Sequence, residues 1–343
     1  MAFSTIDKSS SFINPKIYDG NSSTNAITGV GFQPDVVWMK QRNGVVNHYL
    51  YDAVRGDTNR LQPNMTTVAD TTDSTWFNSF DSDGFTIGSE DNINDTGDTY
   101  VSWNWKMGTT TGIAGSPSIT PASYSFNATA GQSIIKYVGN GVSGATIPHG
   151  LSTAPKMVII KNLDSVEGWV VGNESVGWTK RMKLNTTDAA VTSSAYFNDT
   201  SPSTTLVTIG NDGGVNTDTD NYIAYCFSEV AGYSKFGSYT GNGNADGAFV
   251  YTGFKPSFLM IKKTNGTSQW PMTDSARSPS NEAHQTLYAN VSNAEVGMAK
   301  DLLSNGFKCK TSDGDINGNG DSYIYMAFGQ PIISNSGVCA TAR

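Results

Sequence analysis

The sequence has few of the residues that form disulfide frameworks and metal sites. Only three cysteines and three histidines occur among 343 residues. The cysteines are odd in number and far apart, which argues against a disulfide framework and fits synthesis in a reducing cytosol; they are Cys226, Cys309 and Cys339. The histidines have no HxH or HExxH spacing, so we expect no zinc site and no other metal site built on them; they are His48, His149 and His284.

Charge and long apolar runs are scarce as well. Charged residues make up 15% of the chain and the net charge is −8, so an acidic surface without a basic patch is a poor match for nucleic acid or an anionic membrane. No apolar run approaches the length of a membrane span, and the first residues lack the pattern of a signal peptide. Glycine (36 residues) and aromatic residues (11%) are abundant instead, which is typical of antiparallel β proteins with many tight turns.

Three copies of one pattern follow each other along the chain. Each copy opens with a Tyr before a Gly-Asn turn, continues with an apolar strand that ends in Lys, and closes with a strand that begins with Tyr. The opening tyrosines are Tyr18, Tyr137 and Tyr239, the lysines are Lys40, Lys161 and Lys262, and the closing tyrosines are Tyr100, Tyr222 and Tyr323. A period of 100 to 120 residues indicates domain-sized modules rather than a solenoid.

We therefore predict an all-β protein made of three tandem β-sandwich-like modules of jelly-roll type, each about 100 residues long. The predicted modules are residues 1–107, 133–234 and 235–343. The segment 108–132 is rich in Gly, Ser, Thr and Pro and is predicted to be a linker that leaves the first module freer than the other two. The segment 293–306 is the one helical candidate, and we expect a turn or a short helix there.

The residues that most resemble a catalytic group recur in two modules. A ring side chain precedes an Asp by four residues and an Arg by seven in the first and third copies, whereas the second copy has Asn and Val in place of the Asp and Arg (His48, Asp52 and Arg55; Trp270, Asp274 and Arg277; Trp169, Asn173 and Val176). Recurrence favours a structural Asp–Arg pair over an acid and a cation in a cleft. No nucleophile, phosphate-binding or dinucleotide motif occurs, so we expect neither catalytic residues nor a cofactor.

Tryptophans provide candidates for glycan contact, because sugar rings stack on aromatic faces while polar loops bind their hydroxyls. Trp38, Trp103 and Trp105 lie in predicted strands of the first module and are expected in its core. Four tryptophans in connecting segments are the candidate glycan contacts: Trp76, Trp169, Trp178 and Trp270.

The stretch "TSDGDINGNGDSY" (311–323) begins like a calcium-binding loop. Asp313, Asp315 and Asn317 occupy the first three ligand positions of such a loop, but Ile324 stands where a bidentate Glu belongs. The other two modules have an apolar residue followed by Asn at the same place. We expect a hairpin loop whose Asn and Asp side chains bond their own backbone, with weak calcium binding as the open alternative.

The repeated segments together resemble a family of virion structural proteins of tailed bacteriophages, especially marine ones, of the tail-fibre or receptor-binding type. The stretches that carry the resemblance span about 17–333 and include "AITGVGFQPDVVWMKQR", "APKMVIIKN", "FVYTGFKPSFLMIKK" and "YIYMAF". There is no coiled-coil or collagen-like shaft and no obvious tail-attachment domain at the N-terminus.

The resemblance implies a virion component, on the tail or the capsid exterior, that is made in the host cytoplasm and contacts other tail or capsid proteins. It also implies host-surface polysaccharide as a ligand and a homotrimer as the assembly, with no catalytic residues to carry over. Two alternatives remain open at this point: a capsid decoration or other purely structural virion protein, and, less favoured, a polysaccharide-degrading tail enzyme.

Overall fold

The computed structural model describes residues 4–333 and residue 337, and it confirms the all-β prediction. The first module contains β1 (Ile13–Asp19), β2 (Asn25–Ile27), β3 (Val36–Gln41), β4 (Tyr49–Asp52), β5 (Gly56–Leu61), β6 (Asp70–Thr71), β7 (Phe77–Asp81), β8 (Gly84–Ile87) and β9 (Thr99–Trp105). The second contains β10 (Ser123–Asn127), β11 (Gln132–Val138), β12 (Ala145–Pro148), β13 (Met157–Asn162), β14 (Val170–Asn173), β15 (Lys180–Lys183), β16 (Val191–Thr192), β17 (Leu206–Ile209) and β18 (Asn221–Phe227). The third contains β19 (Ser234–Thr240), β20 (Phe249–Tyr251), β21 (Phe254–Lys263), β22 (Pro271–Asp274), β23 (Ala283–Tyr288), β24 (Val296–Leu303), β25 (Gly306–Cys309) and β26 (Ser322–Pro331).

The helical elements are single turns. They are α1 (Asp91–Asn94), α2 (Ser194–Phe197) and two 3₁₀ turns at Ser9–Ser11 and Glu174–Val176. Within the described ranges, no helix has the length and hydropathy needed to cross a membrane. Cys226 and Cys309 are free and buried, and Cys339 lies outside the described residues.

The same strand order recurs in each module. In the first, the main sheet runs β1-β9-β3-β4-β5-β6 beside a small sheet β2-β8-β7. The second has β10-β11-β18-β13-β14-β15-β16 beside β12-β17. In the third module the two sheets join into one nearly closed eight-stranded barrel, β19-β26-β21-β22-β23-β24-β25-β20. In every module the closing strand lies between the opening strand and the strand that ends in Lys.

Two local predictions are wrong. The segment 108–132 contains β10, which pairs along β11 and extends the sheet of the second module, so the predicted linker is partly an edge strand. The segment 293–306 contains β24, which pairs with β23 and β25. Its buried positions alternate, and this period-two burial is that of a strand rather than a helical turn.

The largest hydrophobic core belongs to all three modules at once. It contains Trp103 and Trp105 of the first module, Phe227 of the second, and Phe258 and Phe328 of the third. Rings meet across the boundaries: Trp105 and Phe258 have centroids 5.6 Å apart, and Phe227 and Phe328 have centroids 6.0 Å apart. The first module is therefore packed into a common core, and its expected freedom is wrong. Each module also has a smaller core of its own.

The modules close a ring, because one hydrogen bond recurs at each of three boundaries. In the second module, Trp169 Nε1 donates to the carbonyl of Gln62 in the first, at 3.1 Å. In the third, Trp270 Nε1 donates to the carbonyl of Lys183 in the second, at 3.2 Å. His48 of the first module occupies the same repeat position, and its Nε2 lies 2.9 Å from the carbonyl of Tyr288 in the third.

A backbone hydrogen bond follows the same cyclic order. Ala69 N donates to the carbonyl of Leu163, Ala190 N to that of Thr264, and Glu295 N to that of Arg42, at 2.7 to 3.0 Å. Head-to-tail contacts that return to their starting point define a closed ring. A single chain therefore has approximate threefold symmetry about its shared core.

Candidate functional site

Equivalent loops from all three modules lie at one end of the ring, which we call the loop end. It consists of residues 19–25, 41–49 and 88–99 of the first module and their counterparts 138–145, 162–170, 210–221, 240–248, 263–271 and 310–322. The hairpin that follows each Lys-terminated strand carries an exposed side chain at its tip: Val45 is 74% exposed and Val166 is 71% exposed. Thr267 stands at the same place in the third hairpin and is also exposed. This end therefore displays three equivalent tips around one axis.

A buried lysine holds each hairpin in place. Lys161 Nζ donates to the carbonyls of Asn162 and Glu167 at the base of its own hairpin, and to the carbonyl of Thr66 in the first module. Lys262 likewise donates to the carbonyls of Ser268 and, across the second boundary, Thr187. Burial lowers the pKa of each of these lysines to about 8, and Lys40 in the first hairpin shares the same shift. Lys161 and Lys262 thus hold their tips and also cross a module boundary, whereas Lys40 donates to the carbonyls of Gln41 and Gly44 in its own hairpin.

The Asn of each Asp-rich loop fastens that loop to the opening Gly-Asn turn of its module. Asn317 Nδ2 donates to Asn242 Oδ1 and to the carbonyls of Asn244 and Thr311, while its Oδ1 accepts from Asn242 N. Asn94 and Asn216 make the matching bonds in the other two modules. The predicted bonds to the loop's own backbone are present, as Asn317 shows with the Thr311 carbonyl and Asp313 with Asp315 N. The sequence did not reveal the additional bonds to the opening turn, about 70 residues away in sequence.

The carboxylates of the calcium-like stretch bond protein groups instead of converging on one point. Asp313 Oδ1 accepts from Asp315 N, and Asp315 Oδ1 accepts from Gln269 N at 3.0 Å. Asp321 forms an ion pair with Lys263 at 2.7 Å. Across the part of the chain that the structure describes, no cluster of three or more His, Cys, Asp or Glu side chains has the geometry to hold a metal ion. The stretch is a hydrogen-bonded loop in this structure.

Three of the four candidate glycan contacts are buried. Trp169 and Trp270 belong to the shared core, and Trp178 lies in the second module's own core against Phe197, with ring centroids 5.3 Å apart. The expectation that these three side chains face solvent is wrong. The neighbouring module covers Trp169 and Trp270, as it covers the predicted core residues Trp38, Trp103 and Trp105. Trp178 is buried within its own module instead.

Trp76 is the half-buried candidate. The guanidinium of Arg60 lies 4.0 Å from the Trp76 ring centroid and forms an ion pair with Asp70. Tyr49 packs edge-on against the same indole at 5.0 Å. One face of the indole is therefore covered by a cation, and a sugar would have to displace Arg60 to stack on that face.

The Asp–Arg pairs are buried ion pairs at the module boundaries. Arg55 Nε lies 2.6 Å from Asp52 Oδ2, and Arg277 Nε lies 2.5 Å from Asp274 Oδ2. Each Asp also accepts a hydrogen bond from the next module: Tyr225 donates to Asp52 at 2.6 Å and Trp103 to Asp274 at 2.9 Å. All of these groups are buried, which suits the structural interpretation.

At the boundary between the second and third modules, both the Asp–Arg ion pair and the hydrogen bond from the neighbouring module are missing. Asn173 replaces the Asp, Val176 replaces the Arg, and Met326 occupies the repeat position of Tyr225 and Trp103. The Asn173 Nδ2 is buried without a hydrogen-bond partner. The second and third modules are therefore joined by apolar packing at the place where the other boundaries use an ion pair.

His48 is a neutral, structural side chain. Trp38 Nε1 donates to His48 Nδ1 at 2.9 Å, which leaves His48 Nε2 to donate to the carbonyl of Tyr288. Burial lowers the pKa of His48 to about 3. His149 is buried in the second module and His284 is exposed in the third, so the three histidines lie in separate places.

The geometry defines an all-β protein of one chain in which three modules with a repeated strand order enclose a common core. The family model described as "Domain of unknown function (DUF7483)" matches residues 8–331, and the chain belongs to this family. Searches of curated proteins and of solved structures gave no match.

Proposed function

We propose that this protein is a bacteriophage virion structural protein of the tail-fibre or receptor-binding type, which contacts glycan on the host surface. The observation that supports this best is the closed ring of three modules. Fibres and spikes are built on threefold symmetry, and this chain supplies that symmetry without separate subunits. The repeated stretches that resemble phage virion proteins supply the setting.

The loop end is the surface that we assign to the virion. Val45, Val166 and Thr267 are equivalent and exposed. Each of their hairpins makes a contact across a module boundary, through Arg42, Lys161 and Lys262 respectively. A partner with threefold symmetry, such as a trimeric tail protein, meets all three tips in the same way. The opposite end, with the start of β1 and the end of β26, would then face the host.

The proposal also covers the type of β module, a jelly-roll-type sandwich, and the lack of catalytic activity. A jelly-roll-type sandwich is supported in the first two modules by a large and a small sheet with a core of their own. We assign no catalytic residue and no cofactor, and the partners are other tail or capsid proteins and host polysaccharide. The homotrimer implied by the resemblance stays a prediction, and sedimentation of the purified chain tests it.

A capsid decoration is the second candidate, because a threefold axis of a capsid lattice offers the same three-point contact to the loop end. Cryo-electron microscopy of particles with and without this protein decides between the two positions. Density on the tail supports the receptor-binding proposal, density on the capsid supports decoration, and absence from particles overturns both.

A variant test addresses the docking surface directly. Val45→Asp combined with Val166→Asp should remove the protein from particles, because two of the three tips would then bury a charge. Val191→Asp is the matched control, since Val191 is an exposed valine on β16, outside the loop end. Normal incorporation of the double variant would contradict the assignment of this end to the virion.

A further inference from the structure

In the part of the chain that the structure describes, the third module has an open seam where the other two are closed. Its eight-stranded sheet ends in β19 on one side and β20 on the other, and these two edge strands do not pair. A cleft of about 350 Å³ lies at this seam, at the end of the ring opposite the loop end. Its lining includes Glu229, Lys235, Tyr251 and Thr252.

The same seam is closed by protein in the other modules. In the first, Asn14 stands at the repeat position of Lys235, and its Nδ2 donates to the carbonyl of Val30 at 2.8 Å. In the second, β10 covers the seam, and Phe126 packs so closely on Gly150 that a Cβ there would lie 2.7 Å from its ring. Val30 and Gly150 are the repeat counterparts of Gly253, which lines the open cleft.

The open seam also has an aromatic surface that the other modules lack. Tyr251 is 56% exposed and Phe249 is 48% exposed, and the two alternate with buried Val250 on one face of β20. Their repeat counterparts are Ala26 and Thr28 in the first module and Thr146 and Pro148 in the second. Tyr251 and Phe249 are thus large aromatic residues at positions where the other two modules have small or aliphatic residues, and their exposed rings are not needed for packing.

We propose that this cleft binds a neutral hexose unit of a polysaccharide, stacked on Tyr251. The ring of Tyr251 offers an apolar face to the C–H groups of a pyranose. Glu229, which is exposed, accepts hydrogen bonds from hydroxyls, and Lys235, whose Nζ lies 5.9 Å from the Tyr251 centroid, donates to them. The two opposite charges favour a neutral ligand over an acidic one.

The size of the cleft agrees with this ligand. Small-molecule sites are clefts of roughly 300–1,000 Å³, so about 350 Å³ suits one or two sugar rings. Phe249 continues the aromatic surface beyond the cleft, so a chain of sugars can extend past the first ring. This inference rests on the proposed function only for the source of the polysaccharide.

Saturation-transfer NMR and titration with three neutral probes, maltohexaose, cellohexaose and mannohexaose, test the proposal on the full chain. We expect at least one of them to bind the wild type and Tyr251→Ala to weaken that binding about tenfold, through loss of ring stacking. Ile17→Ala, which truncates an exposed side chain on β1, should leave binding unchanged. Circular dichroism and thermal melting confirm that each variant is folded.

Two outcomes overturn the inference. One is the absence of binding to all three probes by folded wild-type protein. The other is binding that survives Tyr251→Ala but is lost in Trp76→Ala, which places the sugar at the Arg60–Trp76 cluster instead. Binding through Tyr251 by a protein that is absent from virions would leave the cleft assignment standing and remove the proposed function, so the two failures are distinguishable.

Discussion

Trp103 Nε1 donates a hydrogen bond of 2.9 Å to Oδ2 of Asp274, and this bond joins the first module to the third. Both side chains are fully buried, and the same carboxylate is paired with Arg277. The bond therefore links the two modules that are furthest apart in sequence. It closes the ring at the boundary that no peptide segment crosses directly.

Trp103→Phe should destabilise the protein by about 1–3 kcal/mol, because a buried carboxylate loses a donor that no water replaces. Trp105→Phe is the matched control: Trp105 lies on the same strand and in the same core, but its Nε1 is buried without a partner. Urea denaturation measures both. Equal losses of unfolding free energy in the two variants would show that the hydrogen bond adds nothing beyond ring packing.

His48 should make the protein less stable in mild acid. Its folded-state pKa is lowered to about 3, whereas an unfolded histidine titrates near 6.5. The unfolded chain therefore binds a proton that the folded chain does not, so stability is full above about pH 6.5 and falls as the pH drops from there toward 3.

The His48 contribution amounts to about 2 kcal/mol between pH 7.5 and pH 5. On going from pH 7.5 to pH 5, the unfolding free energy of His48→Gln should fall by about 2 kcal/mol less than that of the wild type. His284→Gln, at an exposed position, should behave like the wild type. A pH dependence that is the same in all three proteins would contradict the buried neutral state of His48.

A cut in the predicted linker should not separate the modules. Residues 108–112 are exposed, so a specific protease site inserted after Gly112 is accessible. After cleavage the two fragments should co-elute in size-exclusion chromatography, because the shared core and the Arg42–Glu295 ion pair at 2.9 Å hold the first module to the others. Separation under native conditions would contradict the closed ring, and separation in denaturant is the control for complete cleavage.

The boundary between the second and third modules should not tolerate an isolated charge. Asn173→Asp should cost about 3 kcal/mol or more, since a buried carboxylate would have no cation beside it. Adding Val176→Arg restores the partner that the other modules have, and the double variant should recover part of the loss, with a coupling energy of about 1–3 kcal/mol. Additive effects in denaturant melts would show that the two positions do not meet as Asp274 and Arg277 do.

The repeat, the strands and the polar loops were predictable from sequence because each depends on local patterns. The strands that end in Lys and the closing strands lie where their apolar runs indicated. The ring was not predicted, although the sequence contains a sign of it. The runs "VVWM", "MVII" and "FLMI" are apolar at every position, and a strand of this kind is buried on both faces.

The predictions for Trp169 and Trp270 failed for the same reason. Trp169 and Trp270 lie between strands, where a single module would expose them, but a neighbouring module covers each one and accepts its N–H. Burial of this kind depends on contacts between distant segments, which local pattern does not report. The open seam of the third module was equally invisible, because its closure elsewhere depends on Asn14 in one module and on β10 in another.

That seam has a consequence for valency. A homotrimer of identical modules would carry either three sugar clefts or none, since its subunits share one sequence. Fusion into a single chain lets one module keep an open seam while the other two are closed. Under the proposed function, the ring is threefold as a scaffold but offers one sugar cleft, and multivalent attachment to a host would come from the number of chains on a particle rather than from the number of modules in a chain.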